Sequence, residues 1–412
     1  MEANGLFLSD GREQALLVSC DLGGLRRDFV AMARAEIEST TGIPRTNILV
    51  ACTHMHSGPV VSRSSPEKEI DEPYHQRLKQ WLVDLACRAK ENAKPARIGW
   101  GMGNAQIGYN RRLCWADGTH TMYGDARRAD FTGLEGPDDP RHLALFAEDL
   151  DKSPIAVFHN NTAHPCSFYG HDFYSADYPG EARGMVRRYW GNVPVLYFNG
   201  ALGDIITWSG FAPPERRGNR EQIMLRTAHL LAGETLRLLH VANWSETPMF
   251  ACSCADLPVA VQLPSAERLS WAADCMAAIK RGEKRENLEA MLAYGALWLQ
   301  EEFARNPVDH LPIHTLRIGD VAIAAQPCEL FCQFGIDIKR RSPAPLTAVC
   351  SIVNGYMGYC PTMYGILGGG YSGEPIYWRR LAPEAGYRIV DEICRQLHAH
   401  WRQEKKPVAN DL

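Results

Sequence analysis

The sequence has no long hydrophobic run. No apolar segment approaches the roughly 18–20 residues that a bilayer-spanning helix needs, and Met1–Gly5 is polar where a signal peptide would become apolar. We therefore expect no transmembrane segment and a cytoplasmic location. Leu6–Asp21 has the pattern of a strand, an Asp-Gly turn and a second strand. A hairpin this close to the first residue leaves little room before it, so we expect an N-terminus that is naturally short or truncated.

An excess of charge of one sign is also absent. The chain has 44 Lys and Arg against 48 Asp and Glu, a net charge of −4. This balance argues against nucleic acid or an anionic membrane surface as a partner. The 13 cysteines are scattered, and the closest pair, Cys252 and Cys254, has no second such pair to complete a zinc knuckle. We interpret most of them as reduced core residues of a cytosolic protein.

Nucleotide-binding signatures are missing too. No GxGxxG motif follows a predicted strand and no P-loop is present, which disfavours a flavin or nucleotide enzyme. The apolar content of 45% supports a sizeable core, and the charged content of 22% argues against extended disorder. With 412 residues, the chain is long enough for two or three domains or for one large α/β domain.

Apolar periodicity alternates between strand and helix. Residues Leu25–Thr41, Pro73–Ala93, 220–242 and 265–305 have helical spacing, and an apolar strand leads to His54 between the first two. Further strands are predicted at Ile155–Asn161, before His164, and as a hairpin at Leu316–Ala325, and this alternation predicts an α/β fold. Residues 101–140 are rich in Gly, Asp and Arg and lack periodicity, so we expect a long, packed, functional loop there.

The segment Asn47–Pro59 ends in a His-X-His motif followed by Ser-Gly-Pro. On a strand, side chains two residues apart face the same way. The spacing therefore predicts that His54 and His56 aim both imidazoles at one point. Neutral imidazole is the commonest metal ligand in proteins. Two structural histidines at a turn would produce the same pattern, so the motif alone leaves both interpretations open.

Other predicted strands also end in residues that can carry chemistry. They are His164, Glu329 and Tyr359. Strand ends converge at one edge of an α/β sheet, where ligand sites form. Two histidines and a carboxylate suit a zinc ion that keeps one position open for water. Each residue also has a structural alternative: a turn for His164, a surface or capping position for Glu329 and core packing for Tyr359.

Six segments of the chain occur in the same order as motifs of a known family. They resemble the neutral/alkaline ceramidase family, and they are Thr-His-Met-His-Ser-Gly-Pro (53–59), Tyr-Asn-Arg-Arg (109–112), Thr-Ala-His-Pro (162–165), Asn-Gly-Ala-Leu-Gly-Asp (199–204), Gln-Pro-Cys-Glu-Leu-Phe (326–331) and Asn-Gly-Tyr-Met-Gly-Tyr-Cys-Pro-Thr with Gly-Gly-Tyr (354–362, 369–371). The resemblance implies one multilayer, mixed-sheet α/β catalytic domain over residues 1–403, with a metal site at the strand ends. We expect residues 404–412 to be a flexible tail. The family's C-terminal immunoglobulin-like domain is expected to be absent.

The resemblance also implies a ligand set and catalytic roles. Zinc would be held by four residues, His54, His164, Glu329 and Tyr359. His56 would assist proton transfer, while Arg111 and Tyr371 would stabilise the oxyanion. A salt bridge is the structural alternative for Arg111. Asp21 could orient a ligand histidine, although a turn carboxylate is the simpler interpretation.

One motif departs from the family. Ceramidases carry Gly-Asp-X-Ser at the fourth segment, whereas this chain has Gly203-Asp204-Ile205-Ile206, so isoleucine stands where the catalytic serine is expected. A zinc-activated water is therefore the expected nucleophile.

We predict a zinc-dependent hydrolase that cleaves the amide bond of a small N-acyl substrate, lipid or soluble. The alternatives are a non-catalytic binding protein of the same fold and a hydrolase of a small ester or lactone. Manganese or iron would accept the same ligands, and the sequence leaves the substrate and the oligomeric state open.

Overall fold

The structure, a computed structural model, describes residues 1–61, 70–212 and 214–402. The segment 404–412, expected to be a tail, lies outside the described residues. The strands, numbered in chain order, are β1 (Ala3–Ser9), β2 (Gln14–Cys20), β3 (Ile48–Cys52), β4 (Ala96–Asn104), β5 (Tyr109–Asn110), β6 (Arg112–Trp115), β7 (His120–Met122), β8 (Phe131–Leu134), β9 (Arg141–Asp149), β10 (Pro154–Asn161), β11 (Val195–Asn199), β12 (Ile205–Ile206), β13 (Asn243–Ser245), β14 (Phe250–Ala260), β15 (Val308–Ile318), β16 (Val321–Ala325), β17 (Glu329–Leu330), β18 (Leu346–Cys350) and β19 (Tyr359–Cys360).

The ten α-helices of the described residues include several that begin and end close to the limits that the apolar periodicity predicts. They are α1 (Arg27–Thr41), α2 (Glu72–Glu91), α3 (Asp177–Trp190), α4 (Pro214–Arg217), α5 (Arg220–His240), α6 (Ala266–Lys280), α7 (Asn287–Phe303), α8 (Cys332–Arg341), α9 (Met363–Leu367) and α10 (Ala385–Arg402). Local signals set several ends. Asp71 accepts a hydrogen bond from the backbone of Tyr74 at the start of α2, and Gly42 ends α1 in the left-handed conformation with φ 73°. Within the described residues, no helix is both long and apolar enough to cross a membrane.

Three larger sheets form the framework. One has the order β1-β2-β3, with β2 and β3 parallel. The second has the order β11-β10-β9-β4-β13, in which β10 and β11 are parallel and the other pairs antiparallel. The third has the order β14-β15-β16-β18, with β16 and β18 parallel. The predicted multilayer, mixed-sheet α/β fold is therefore confirmed.

The three sheets share one hydrophobic core. Leu17 of β2, Phe158 of β10 and Ile323 of β16 belong to the same buried cluster. Helices cover the opposite faces: α1 and α2 pack on β2 and β3, α3 and α5 on the five-stranded sheet, and α6, α7, α8 and α10 on the four-stranded sheet. Because central strands are covered on both faces, they are nearly continuous apolar runs.

Two sequence predictions need correction. Residues 101–140 are not one loop, because they include the end of β4 and the short strands β5 to β8, three of which form a small antiparallel sheet. Strands of two to four residues are too short to show a period of two. The helical stretch 265–305 is also interrupted, since α6 ends at Lys280 and Gly282 adopts φ 85° before α7 begins.

Candidate metal centre

The His-X-His motif lies on a turn rather than on a strand. β3 ends at Cys52, and His54 adopts the left-handed conformation with φ 70°. Its backbone N–H donates to Leu22 O at 3.0 Å. The expectation that strand geometry aims both rings in one direction is therefore wrong. The turn brings them together instead, with the ring centroids of His54 and His56 4.8 Å apart. A positive φ in a non-glycine residue is uncommon and is often found at functional sites.

The remaining predicted ligands come from other connections. His164 follows β10 and is completely buried. Glu329 and Tyr359 are paired residues of the parallel strands β17 and β19, so the register of this short sheet sets their spacing. Both side chains are buried as well. Long-range pairing of four chain segments thus delivers the predicted residues to one place.

Three histidine nitrogens and one carboxylate oxygen converge. The ligand atoms of His54, His56 and His164 all lie within 4.8 Å of one another. Glu329 Oε2 lies 2.9 Å from His164 Nε2 and 3.5 Å from His54 Nε2. His54 and His164 are buried, whereas His56 is the most accessible of the three histidines. A cluster of this composition matches the nitrogen and oxygen donors that bind zinc.

The hydrogen bonds of the two buried histidines leave Nε2 as the free ligand atom. His164 Nδ1 lies 3.0 Å from Ile205 O, and His54 Nδ1 is hydrogen-bonded to Gly23 O. A carbonyl oxygen only accepts, so each Nδ1 carries the proton and each Nε2 carries a lone pair. Among the described residues, His54 Nε2 has no hydrogen-bond partner although it is buried. An unpaired buried lone pair beside a carboxylate fits a metal ion at this point.

The charge states also suit a cation. Burial lowers the pKa of His164 to about 3, an effect that Arg111 increases and Glu329 opposes. Burial alone would raise the pKa of Glu329, but His54 and His164 hold it well below its usual range. At pH 7, therefore, His164 is neutral and Glu329 is ionised.

Arg111 reaches the same cluster from the segment before β6. Its Nη2 lies 3.0 Å from His164 Nε2 and donates to Gly203 O at 2.9 Å and to Tyr359 OH at 3.3 Å. Its Nη1 donates to Tyr123 OH at 2.7 Å. The predicted alternative, an ordinary salt bridge, does not describe these contacts. Arg111 is a buried cation held mainly by neutral acceptors and aimed at the histidines.

Tyr359 and Tyr371 lie at one side of the cluster. Their ring centroids are 5.6 Å apart in an edge-on arrangement. Tyr359 is buried, and burial followed by the nearby Glu329 raises the pKa of its phenol well above the usual range. Tyr371 is half-buried and also packs against Trp378, with centroids 6.0 Å apart. Both tyrosines thus border the site, and Tyr359 contacts it through Arg111.

Sequence reasoning missed the groups that orient the predicted ligands. Tyr356 donates to Glu329 Oε1 at 2.6 Å, and its ring stacks on His54 with centroids 5.8 Å apart. It belongs to the Asn-Gly-Tyr motif, which was the available signal. In the part of the chain that the structure describes, the contacts of Asp21 include no histidine, and Asp21 forms a buried ion pair with Arg183 at 2.7 Å. The ligand histidines are oriented by the backbone carbonyls described above.

The segment that departs from the family pattern is fully buried. Ile206 pairs with Tyr109 through the short strands β12 and β5. Thr207 follows it, and among the described residues its buried hydroxyl has no hydrogen-bond partner. The position where a ceramidase would carry serine thus holds an apolar side chain packed into the protein.

Comparison with known proteins gives a likeness of fold. No protein-family model matches the chain, and no curated protein does. A crystal structure of neutral ceramidase from Pseudomonas aeruginosa superposes with a TM-score of 0.70 at 15% identity, covering 96% of this chain and 68% of that one. A ceramidase complexed with C2 gives a TM-score of 0.70 at 14% identity, covering 97% of this chain and 70% of the other. The protein therefore has a neutral-ceramidase-like fold.

Proposed function

We propose that the protein is a zinc-dependent hydrolase that cleaves the amide bond of an N-acyl substrate. The observation that carries this proposal is the convergence of three histidine nitrogens within 4.8 Å of one another, with Glu329 Oε2 2.9 Å from His164 Nε2. The solved structures that share the fold are ceramidases by name. This likeness supports an acylated amine as the substrate class.

The ion would be held by His54, His164 and Glu329, with Tyr359 or His56 as a further ligand. Bound zinc supplies Lewis-acid chemistry and lowers the pKa of a coordinated water to about 7. His164 Nε2 would offer the ion the lone pair that Arg111 Nη2 contacts at 3.0 Å in this structure. Arg111 then keeps its bonds to Gly203 O, Tyr359 OH and Tyr123 OH.

Arg111 is placed to stabilise negative charge on the substrate oxygen. It is buried, so solvent screens its charge little. Its bonds to Gly203 O and Tyr123 OH fix the guanidinium before substrate binds. Donors that are fixed in advance in a water-poor site are worth far more than the same groups in water. Tyr371, at the edge of Tyr359, is a second donor to this oxygen.

His56 is placed to move the proton. Its ring centroid lies 4.8 Å from that of His54 and 5.9 Å from that of His164, so a ring nitrogen of a neutral imidazole at this position can accept a proton from the attacking water. It is also the most accessible of the three histidines, which allows contact with the substrate. The same nitrogen then donates the proton to the leaving nitrogen of the amide. The products are an amine and a carboxylic acid, and at pH 7 the acid passes its proton to the amine or to water.

The residues that follow the Asn-Gly-Ala-Leu-Gly-Asp segment (199–204) support water as the nucleophile. Ile206 has no nucleophilic atom, and the hydroxyl of the neighbouring Thr207 is buried. A covalent acyl-enzyme at position 206 is therefore excluded by chemistry.

Hydrolysis of N-acyl substrates with graded chain length tests the proposal, each beside an ester of the same acyl group. The protein should be stripped of metal, assayed, and assayed again after one equivalent of zinc is restored. We expect amide cleavage that is lost on stripping and returns with zinc. Cleavage of the ester alone would favour an esterase or lactonase. Tight zinc binding with no turnover of either series would favour the non-catalytic alternative.

A further inference from the structure

A buried arginine outside the candidate metal centre has no counter-charge in the contacts that the structure gives. Arg379, in the segment between α9 and α10, is completely buried. Its Nη1 donates to the side-chain oxygen of Gln262. Within the part of the chain that the structure describes, its Nε and Nη2 have no hydrogen-bond acceptor. A buried donor without an acceptor is costly, and a buried charge without a counter-charge costs more.

The neighbouring arginine has the carboxylate partner that Arg379 lacks in the contacts of the described residues. Arg380 is equally buried, and its Nε lies 2.7 Å from Asp309 Oδ2. Arg112, fully buried near the metal centre, is similarly paired with Glu135 at 2.6 Å. No carboxylate pairs with Arg379 among residues 1–61, 70–212 and 214–402, and the ionisable group that interacts with it is the Cys360 thiol. Burial lowers the pKa of Arg379 to about 10, so it remains a cation at pH 7.

The two unpartnered nitrogens form one edge of the guanidinium. Nε–H and Nη2–H point in parallel from a planar group, which is the geometry that binds two oxygens of one carboxylate or a single halide. Because the group carries only donors, an acceptor must complete it. An anion supplies both the acceptor and the charge, whereas water supplies only the acceptor.

An acidic side chain that lines a neighbouring cavity is already paired with another arginine. Gln262, which holds Arg379, also lines a cavity of about 420 Å³ together with Ser265, Arg268 and Glu374. Arg268 forms an ion pair with Glu374 at 2.6 Å. That carboxylate is therefore already committed, and one cation of this neighbourhood is left unbalanced.

We propose that Arg379 is the floor of a binding site for a small monovalent anion, which binds the Nε–Nη2 edge. The complete burial of the side chain limits the ligand to a halide or a small carboxylate such as formate. The site is separate from the metal centre and does not depend on the proposed hydrolysis.

Thermal unfolding with sodium chloride or sodium formate, at ionic strength held constant with sodium gluconate, tests this site. In the wild type we expect the unfolding midpoint to rise with anion concentration and to saturate. The Arg379→Met variant should lose this rise, whereas Arg395→Gln, which removes an exposed arginine, should keep it. The arm with the larger rise identifies the preferred anion. An equal response of the wild type and Arg379→Met would overturn the proposal.

A crystal structure of the wild-type protein grown in sodium bromide keeps the test valid if Arg379→Met does not fold. An anomalous peak within hydrogen-bond distance of Arg379 Nε and Nη2 would support the site. Water molecules at that edge without an anomalous peak, in a protein whose unfolding midpoint does not depend on chloride or formate, would contradict it.

Discussion

Among the described residues, two clusters of buried histidines can be compared, and one of them has the features of a metal site. In the metal centre, His54 and His164 direct Nδ1 to backbone carbonyls and their Nε2 atoms meet at Glu329. In the second cluster, His142 Nε2 and His159 Nδ1 lie 2.9 and 3.0 Å from the hydroxyl of Thr235. Burial lowers the pKa of His164 in the first cluster, and it lowers the pKa of His142 and of His159 in the second.

The difference lies in where the free nitrogens are directed. The Thr235 hydroxyl donates to Leu231 O, so it accepts from both histidines of the second cluster and fixes their protons there. Their remaining nitrogens, His142 Nδ1 and His159 Nε2, have no partner among the described residues, and no carboxylate faces them in the contacts that the structure gives. Neutral buried imidazoles are therefore insufficient for a metal site. Convergent lone pairs beside a carboxylate are the distinguishing feature.

The largest catalytic effect is expected at Arg111. Arg111→Met removes the buried cation that faces His164 and Tyr359. Loss of one fixed oxyanion donor lowers kcat by roughly 10²–10³, or about 2.7–4 kcal/mol. Steady-state kinetics with an N-acyl substrate, with zinc content measured alongside, would check this. Loss of zinc together with activity would contradict the assigned role and make Arg111 part of the metal site's support.

A substitution in the second cluster should lower the stability of the protein and leave metal binding unchanged. Thr235→Val keeps the shape of the side chain but leaves two buried imidazole N–H groups without an acceptor. We expect a loss of about 2–3 kcal/mol in the free energy of unfolding, measured with urea. Zinc content should stay at the wild-type value. A variant that unfolds like the wild type would show that the shared hydroxyl contributes little.

Tyr356 distinguishes the two clusters further. It holds the carboxylate of the metal centre, and no such group is among the contacts that the structure gives for the second cluster. Tyr356→Phe removes the hydrogen bond to Glu329 Oε1 while keeping the ring against His54. Removing a group that orients a metal ligand typically costs 10–100-fold in metal affinity. Competition with a zinc chelator would measure it, with Tyr364→Phe, an exposed tyrosine, as the matched control. Equal affinity of Tyr356→Phe and the control would remove Tyr356 from the site.

The smallest effect is the pH dependence of the second cluster. Burial lowers the pKa of His142 to about 3, below its unfolded value of about 6.5. Between these two pKa values, His142 is protonated in the unfolded chain and neutral in the folded protein. The free energy of unfolding therefore falls as the pH falls, by up to about 1.4 kcal/mol per pH unit. His142→Gln should reduce this slope between pH 6.5 and 5, measured by urea unfolding. The exposed His398→Gln variant should keep the slope of the wild type.

The fold was largely predictable because the periodicity is strong in long elements. The hairpin β1–β2, helices α1, α2 and α5, and strand β10 lie within a few residues of the predicted limits. The shorter strands β5 to β8 were not predicted, because each has too few residues to show an alternating pattern. The break after Lys280 depends on a left-handed Gly282, which the helical spacing does not reveal.

The candidate site was predictable only in its side chains. The motifs indicated His54, His164 and Glu329, and the structure brings them together. Their orientation comes from the backbone carbonyls of Gly23 and Ile205, which any residue type would provide. Such contacts depend on turn geometry and leave no mark in the sequence. The convergence of His54 and His56 was predicted for the wrong physical reason. A strand was expected to bring the two imidazoles together, but a turn does so.

Zinc content per chain tests the central claim most directly. Elemental analysis should compare the wild type, purified without chelator, with His54→Ala and His164→Ala and with His142→Gln and His159→Gln from the second cluster. We expect about one zinc per chain in the wild type and in both second-cluster variants, and almost none in either metal-centre variant. A wild type that holds no metal even after zinc is added would contradict the account. Equal zinc loss in correctly folded variants of both clusters would contradict it as well.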